Sequence, residues 1–205
     1  MKLVTKLLAS AALLSSAAAF AAPVSFDFKD PKGVNNVQFN LDAPLEAISG
    51  TGTGIAGTVS FDPANPAATT GKITLATSSL TVGNPMMKDH LHSKMWLDVA
   101  ANPEISFEAT SLSDVKTVGA KTTATVTGKL TIKGVTKEIT APVSLTYLPG
   151  KLGERVPNTK GDLLVLRTAF SVNRSDFGIM AGKNTDKVSE TINLTLNLAG
   201  AAAQP

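Results

Sequence analysis

Three short stretches carry the residue types from which chemistry could be built. Residues 173–178 read Asn-Arg-Ser-Asp-Phe-Gly, so Arg174 and Asp176 stand two apart and project the same way on an extended segment. A guanidinium placed there can lock a chain corner by binding main-chain groups, or it can meet an anionic head group at a cavity rim. Residues 89–92, Asp-His-Leu-His, hold both histidines of the chain. On a helix, positions two apart point in different directions, so His90 and His92 do not chelate one ion through that element. A structural or solvent-facing role is the simpler reading, since no distinctive nucleophile or second base accompanies them. Residues 49–57, Ser-Gly-Thr-Gly-Thr-Gly-Ile-Ala-Gly, resemble a phosphate loop only superficially. They lead into a period-two run instead of a helix and lack the Lys-Ser/Thr pair that would meet a phosphate. The residues therefore predict no catalytic set and no metal site.

The other feature that could serve a site is apolar. Asn84 followed by Pro85 is a helix start, and Met87, Leu91 and Met95 then recur at four-residue spacing, with Met86 and His90 on the adjoining stripe. This predicts one helix of two to three turns followed by a loose turn, with Ala101-Asn102-Pro103 stopping the segment. Met86, Met87, Met95 and Trp96 make a bulky, deformable surface that either plugs one end of the core or lines the mouth of an apolar cavity, where methionines adapt to a long chain.

Nearly everything else must be sheet. In residues 121–133, Ala124, Val126, Gly128, Leu130 and Ile132 alternate with lysines and threonines, the period of a strand with one dry and one wet face. The pattern recurs at Ile139 to Tyr147, at Leu164, Leu166, Thr168, Phe170 and Val172, and at Ile192 to Leu198. Lys133-Gly134 marks a hairpin tip, and Pro142 predicts an edge, bulge or irregular pairing within its run. Such strands close either as a two-sheet sandwich or as a barrel. About eight long strands with short connections suit the barrel better, and an eight-stranded barrel is just wide enough for one ligand or a filled core. One domain is expected, with a frayed tail over residues 199–205.

Residues 1–21 have the form of a secretory leader: Lys2 and Lys6, a short Ala- and Ser-rich apolar run, and Ala19-Phe20-Ala21 at the cleavage point. Its removal after Ala21 defines a mature barrel domain of residues 22–198 plus the tail, delivered to the periplasm or the medium, without an integral membrane segment. The 19 basic residues then fall to 17 against 16 acidic ones, which lowers the formal charge from +3 to +1. Scattered charges of this balance do not predict a nucleic-acid partner. With no cysteine, disulfides and thiolate chemistry are excluded.

Taken in order, the segments beginning GTVSFDPANPAA at Gly57, GNPMMKDHLHSKMWLDVAANPEISFEAT at Gly83, GKLTIKGVTKEITAPV at Gly128, FSVNRSDFGI at Phe170 and VSETINLTLNL at Val188 resemble the YceI-like family of bacterial secreted, polyisoprenoid-binding proteins. The resemblance implies an all-β fold, an extended eight-stranded antiparallel lipocalin-like barrel with one short helix near an end, enclosing a long apolar tunnel. It implies a non-enzymatic carrier of a long-chain amphiphile, with an isoprenoid, quinone or fatty acid as the guest and no required cofactor. Asp89, His90 and Leu91 match the family's helical block, and Asn173, Arg174, Asp176, Phe177 and Gly178 its terminal block. The candidate ligand-contacting set is Met86, Met87, Leu91, Met95, Trp96, Phe170, Arg174 and Phe177. The beginning departs from the pattern: DPKGVNNVQF from Asp30 lacks the family's histidine and carries one extra residue. A structural or interaction module of the envelope, accessory to a membrane redox or stress system, is the competing function. A homodimer or an envelope protein is the partner it would involve.

Overall fold

The structure, a computed structural model, describes residues 22–204. The expected leader lies outside them. Eleven strands form one antiparallel sheet: β1 (Val24–Asp27), β2 (Asn36–Asp42), β3 (Ala47–Gly52), β4 (Ile55–Phe61), β5 (Thr70–Ala76), β6 (Thr81–Val82), β7 (Glu104–Val118), β8 (Lys121–Ile132), β9 (Val135–Leu148), β10 (Lys160–Asn173) and β11 (Thr191–Gln204). The first six combine into three longer strands. β1 and β2 lie along the same edge of β11, at Ala201 and at residues 193–197. β4 and β3 pair with β1 and β2 in turn, and β5 and β6 pair with β4 and β3. The result is an eight-stranded up-and-down barrel whose interrupted strands account for the extra segments. Two short helices, α1 (Pro85–His92) and α2 (Leu152–Arg155), lie at its opposite ends.

Alternation sets the wall. Along β8, Thr122, Ala124, Val126, Gly128, Leu130 and Ile132 are buried while their neighbours face outward or lie half-buried. The hairpin to β9 turns at Lys133 and Gly134, both at positive φ (51° and 75°), the conformation that a two-residue turn matched to strand twist requires. Pro142 falls where β9 leaves β10: their pairing runs only from Leu163↔Leu148 to Thr168↔Val143. Beyond it, β9 stays paired to β8 alone, and the end of the barrel wall between β9 and β10 is filled by the turn that follows β10.

The break between β1 and β2 has a specific repair. Asn35 is buried, donates to Phe28 O (2.9 Å) and Ala199 O (3.1 Å), and accepts from Ala199 N (2.8 Å). Its side chain thus stands in for a strand residue against β11 while residues 28–35 loop out. Asp30 holds that loop by accepting from Lys32 N, Val34 N and Asn35 N, and pairs with Arg155 of α2 at 2.9 Å. The sequence's departure from the family pattern at DPKGVNN is this loop.

The expected frayed tail is corrected. β11 continues to Gln204, pairing Ala199 with Val165 and Gln204 with Lys160. Backbone pairing does not need large side chains, and the small ones here serve packing. A Cβ on Gly200 would lie 2.6 Å from the Phe28 ring, so only glycine lets that ring cover the strand. Phe26, Phe28, Phe61 and Leu164 are almost completely buried at this end, with Tyr147 at 6.1 Å from Phe26 and 6.0 Å from Phe61 between ring centroids. They form a solid aromatic floor.

Candidate functional site

Above that floor the barrel encloses a cavity of about 660 Å³. Its wall is made by the dry rows of the strands: Leu130 and Ile132 from β8, Ala141 and Val143 from β9, Leu166 and Phe170 from β10, Leu194 and Leu196 from β11, with Phe39, Ile55 and Phe107 across. Protein cores are packed with few voids larger than a water molecule, so a volume of this size is a feature of the architecture, not a packing flaw. It lies within the range of sites that bury small molecules. Between Leu198 and Ile192 the lining row of β11 runs about 20 Å, at ~3.4 Å per residue, a shape suited to an extended chain.

The mouth lies at the α1 end. Asn84 caps α1 by accepting from Met86 N (2.9 Å) and Met87 N (3.3 Å), as its position before Pro85 predicts. The helix ends at His92 after eight residues, within the two to three turns expected, where the chain turns at Ser93 and its N–H bonds His90 O. Met95 and Trp96 therefore reach the cavity from the turn beyond α1, not from the helix. Met87, Leu91, Met95, Trp96 and Phe170 all line the cavity, together with His90 and Glu46. His92 sits 2.7 Å from Leu80 O through Nε2 and so ties α1 to the sheet. Among the described residues no group of three His, Asp or Glu side chains converges on a point where a metal ion would bind.

Two members of the candidate set do not face the cavity. Met86 points to solvent, one position round the helix from Met87. Phe177 is buried but borders a shallow outer cleft with Lys137, Ile139 and Asn173, where it seals the gap between β9 and β10. In both cases side-chain type alone did not report which side of the wall was apolar.

Arg174 reaches the cavity's edge, yet its guanidinium is fully committed. It is completely buried; Nε donates to Ser189 O (3.1 Å), Nη1 to Ile179 O (3.1 Å) and Met180 O, and Nη2 to Lys183 O (2.5 Å) and Val188 O (3.3 Å). Those are all five N–H groups that an arginine carries. Glu190 lies 3.4 Å away and Trp96 stacks at 5.9 Å. These are the bonds of a corner lock, and no donor is left for an anionic head. They gather the 179–190 segment over the barrel end, where Met180, Asn184, Lys187 and Val188 complete the mouth. Gly178 starts the turn with φ +67°, which favours glycine. Met180, Asn184 and Lys187 escaped sequence reasoning because they have no periodic signature, and the floor escaped it because alternation puts Phe61, Tyr147 and Leu164 on dry faces without showing which of those faces meet.

The same corner sets a pH limit. Hydrogen bonding from Ser175 leads in holding the Glu190 carboxyl below its ordinary value of 4.5, outweighing burial, with the Arg174 charge adding to it. At Asp30, burial pushes the carboxyl up, but hydrogen bonds from Asn35, Lys32 and Val34 and the charge of Arg155 bring it below its ordinary 3.8. A carboxyl whose folded pKa is depressed stabilises the fold above its unfolded value and loses that contribution as pH falls through the folded one. Stability is therefore expected to be level through neutrality and to decline below about pH 4.5. Urea midpoints across that range check this, and the Glu190→Gln and Asp30→Asn variants should each show a flatter acid limb.

The fold agrees with what comparison with known proteins shows. The model of the YceI-like domain matches residues 16–199, and the chain belongs to that family. A UPF0312 protein of Pseudomonas savastanoi pv. phaseolicola is 34% identical over 190 residues, covering 92% of this chain and 91% of that one. Among solved structures, Burkholderia cenocepacia BcnA superposes with a TM-score of 0.66 at 24% identity, over 80% of this chain and 95% of its own. A polyisoprenoid binding domain from Saccharophagus degradans, implicated in plant cell wall breakdown, gives 0.63 at 12% identity, over 88% and 99%. At these identities the structures speak for the shared barrel.

Proposed function

We propose that this protein is a non-enzymatic carrier that holds one long-chain apolar or amphiphilic molecule, an isoprenoid, a quinone or a fatty acid, tail-first in the barrel, and that it works in the periplasm after loss of residues 1–21. The observation that carries this reading is the cavity: about 660 Å³, walled by aliphatic and aromatic side chains, bounded at one end by Val59, Leu145 and Leu198, beyond which the aromatics are packed solid, and open beneath α1 at the other. The polyisoprenoid-binding description of the Saccharophagus neighbour supports it. Water exclusion supplies the affinity, since each buried methylene contributes about 0.8 kcal/mol.

That physical cause makes a quantitative test. In a series of prenyl and alkyl chains with one head group, the dissociation constant is expected to fall by up to about fourfold per added methylene until the chain reaches the aromatic floor, then level off. Trp96, in the lining, reports saturable binding by fluorescence, and native mass spectrometry of freshly purified protein reports any resident guest. A flat series with no long-chain adduct rejects the carrier reading and leaves the interaction module standing. N-terminal sequencing of protein from the periplasmic fraction tests the location; an intact Met1 there rejects the cleavage.

A further inference from the structure

Five large apolar side chains stand out as exposed among the described residues: Val34, Leu45, Met86, Met95 and Val118. Single exposed apolar residues are ordinary on a protein surface. Here, however, Leu45, Met86 and Met95, at 67%, 69% and 61% exposure, belong to the segments that form the cavity mouth. Leu45 precedes the lining residue Glu46 and donates its N–H to Asp186 O at 2.9 Å, which joins the β2–β3 turn to the loop that Arg174 gathers. Met86 precedes the lining residue Met87. Met95 does both, lining the cavity and facing solvent. Met95 thus carries apolar surface from the cavity wall onto the rim, where Leu45 and Met86 stand next in the chain to lining residues.

From this placement we propose that the mouth end docks on the surface of a phospholipid bilayer, the rim tips entering the boundary between head groups and acyl chains while the cavity opens towards the chains. This deepens the carrier reading and rests on it. A molecule with a long apolar tail resides in a bilayer, and a mouth sealed against that surface lets the tail pass without crossing water. The charges round the rim fit the head-group layer. The exposed Lys88, Lys94, Lys183 and Lys187 stand among Glu46, Asp89 and Asp186, a nearly balanced set on long flexible stems. Balanced charge neither holds the protein tightly to anionic lipid nor repels it, so the contact is reversible and driven by the apolar tips.

The test uses the full mature chain and unilamellar vesicles of phosphatidylethanolamine and phosphatidylglycerol. Wild type is expected to float with the vesicles, with phosphatidylcholine vesicles giving a similar result. The double variant Leu45→Asp with Met86→Asp is expected to bind vesicles about tenfold more weakly, because a charge replaces each apolar tip. Val118→Asp, at the far end of β7, should bind as wild type does. Neither Leu45 nor Met86 lines the cavity, so the double variant should keep wild-type affinity for farnesol in solution. Wild type that fails to float, or a double variant that floats equally well, overturns the proposal. So does a wild-type dimer in sedimentation that the double variant loses, since the rim would then belong to a second copy. Wild type that floats with vesicles but binds neither farnesol nor any chain of the prenyl and alkyl series sinks the carrier reading while the docking of the rim stands.

Discussion

Replacing Arg174 with alanine is expected to lower the unfolding free energy by about 3–5 kcal/mol, the cost range for removing one partner from a buried charged network. The substitution removes five donors at once and leaves the carbonyls of Ile179, Met180, Lys183, Val188 and Ser189 to find other partners. It also strips the counter-charge from Glu190, whose buried Oε2 accepts no hydrogen bond, and takes the cation from the face of Trp96. Lysine would not substitute, because its single ammonium lacks the planar fork that reaches several carbonyls. Denaturant midpoints at constant slope measure the loss. Because the segment that Arg174 gathers forms one side of the mouth, ligands with neutral and anionic heads should weaken together. A variant that kept full stability and lost affinity only for anionic ligands would return Arg174 to the role of a head-group clamp.

The second large effect is expected from a carboxylate placed in the wall, and its size should depend on depth. Leu130 is buried on β8, two residues before the end of that strand and opposite Phe107 of β7, with apolar neighbours on the inner face. An aspartate there has no partner within the wall, and the penalty of several kcal/mol for an unpaired buried charge is a large share of the 5–15 kcal/mol that holds an ordinary domain. Leu130→Asp should therefore leave the chain unfolded or insoluble at neutral pH, seen as loss of the β-sheet circular dichroism signal. Met87→Asp makes the contrast. Met87 is only half-buried on α1 at the mouth, so its carboxylate keeps access to water in the free protein. That variant should retain its sheet signal and melt close to wild type, but the Trp96 response to a long isoprenoid should weaken, because the guest would desolvate the charge. A Met87→Asp protein that bound as tightly as wild type would remove α1 from the ligand's surroundings.

These two positions show how unevenly the site was legible. Leu130 is announced by period-two alternation, and its inward aspect follows from its strand. Met87 and Met86 are adjacent methionines on a short helix, and only the docking of α1 beside β6 turns one inward and the other out. For Arg174 the residues supplied two consistent readings, a corner lock and an anion clamp. The choice depended on where five carbonyls from a segment up to fifteen residues further on came to rest. Phe177 looked like a companion in a binding block, but Pro142 parts β9 from β10 and gives that ring a gap in the wall to fill.

By itself, then, the sequence determined what short-range physics controls. It specified the two-faced strands, the Lys133-Gly134 turn that left-handed backbone permits, the Asn84 cap, and the apolar lining that makes the interior dry. Tertiary structure alone decided what depends on distant segments meeting. It joined β1 with β2 and β3 with β4 into single barrel staves, drew the alanine-rich end of β11 into the ring, and set an aromatic floor under one end of the cavity and an arginine-gathered mouth over the other. The division has one physical reason. Alternation and capping are properties of neighbours in the chain, whereas ring closure, side-chain facing and the partners of a buried guanidinium depend on backbone groups brought together only by the closed sheet.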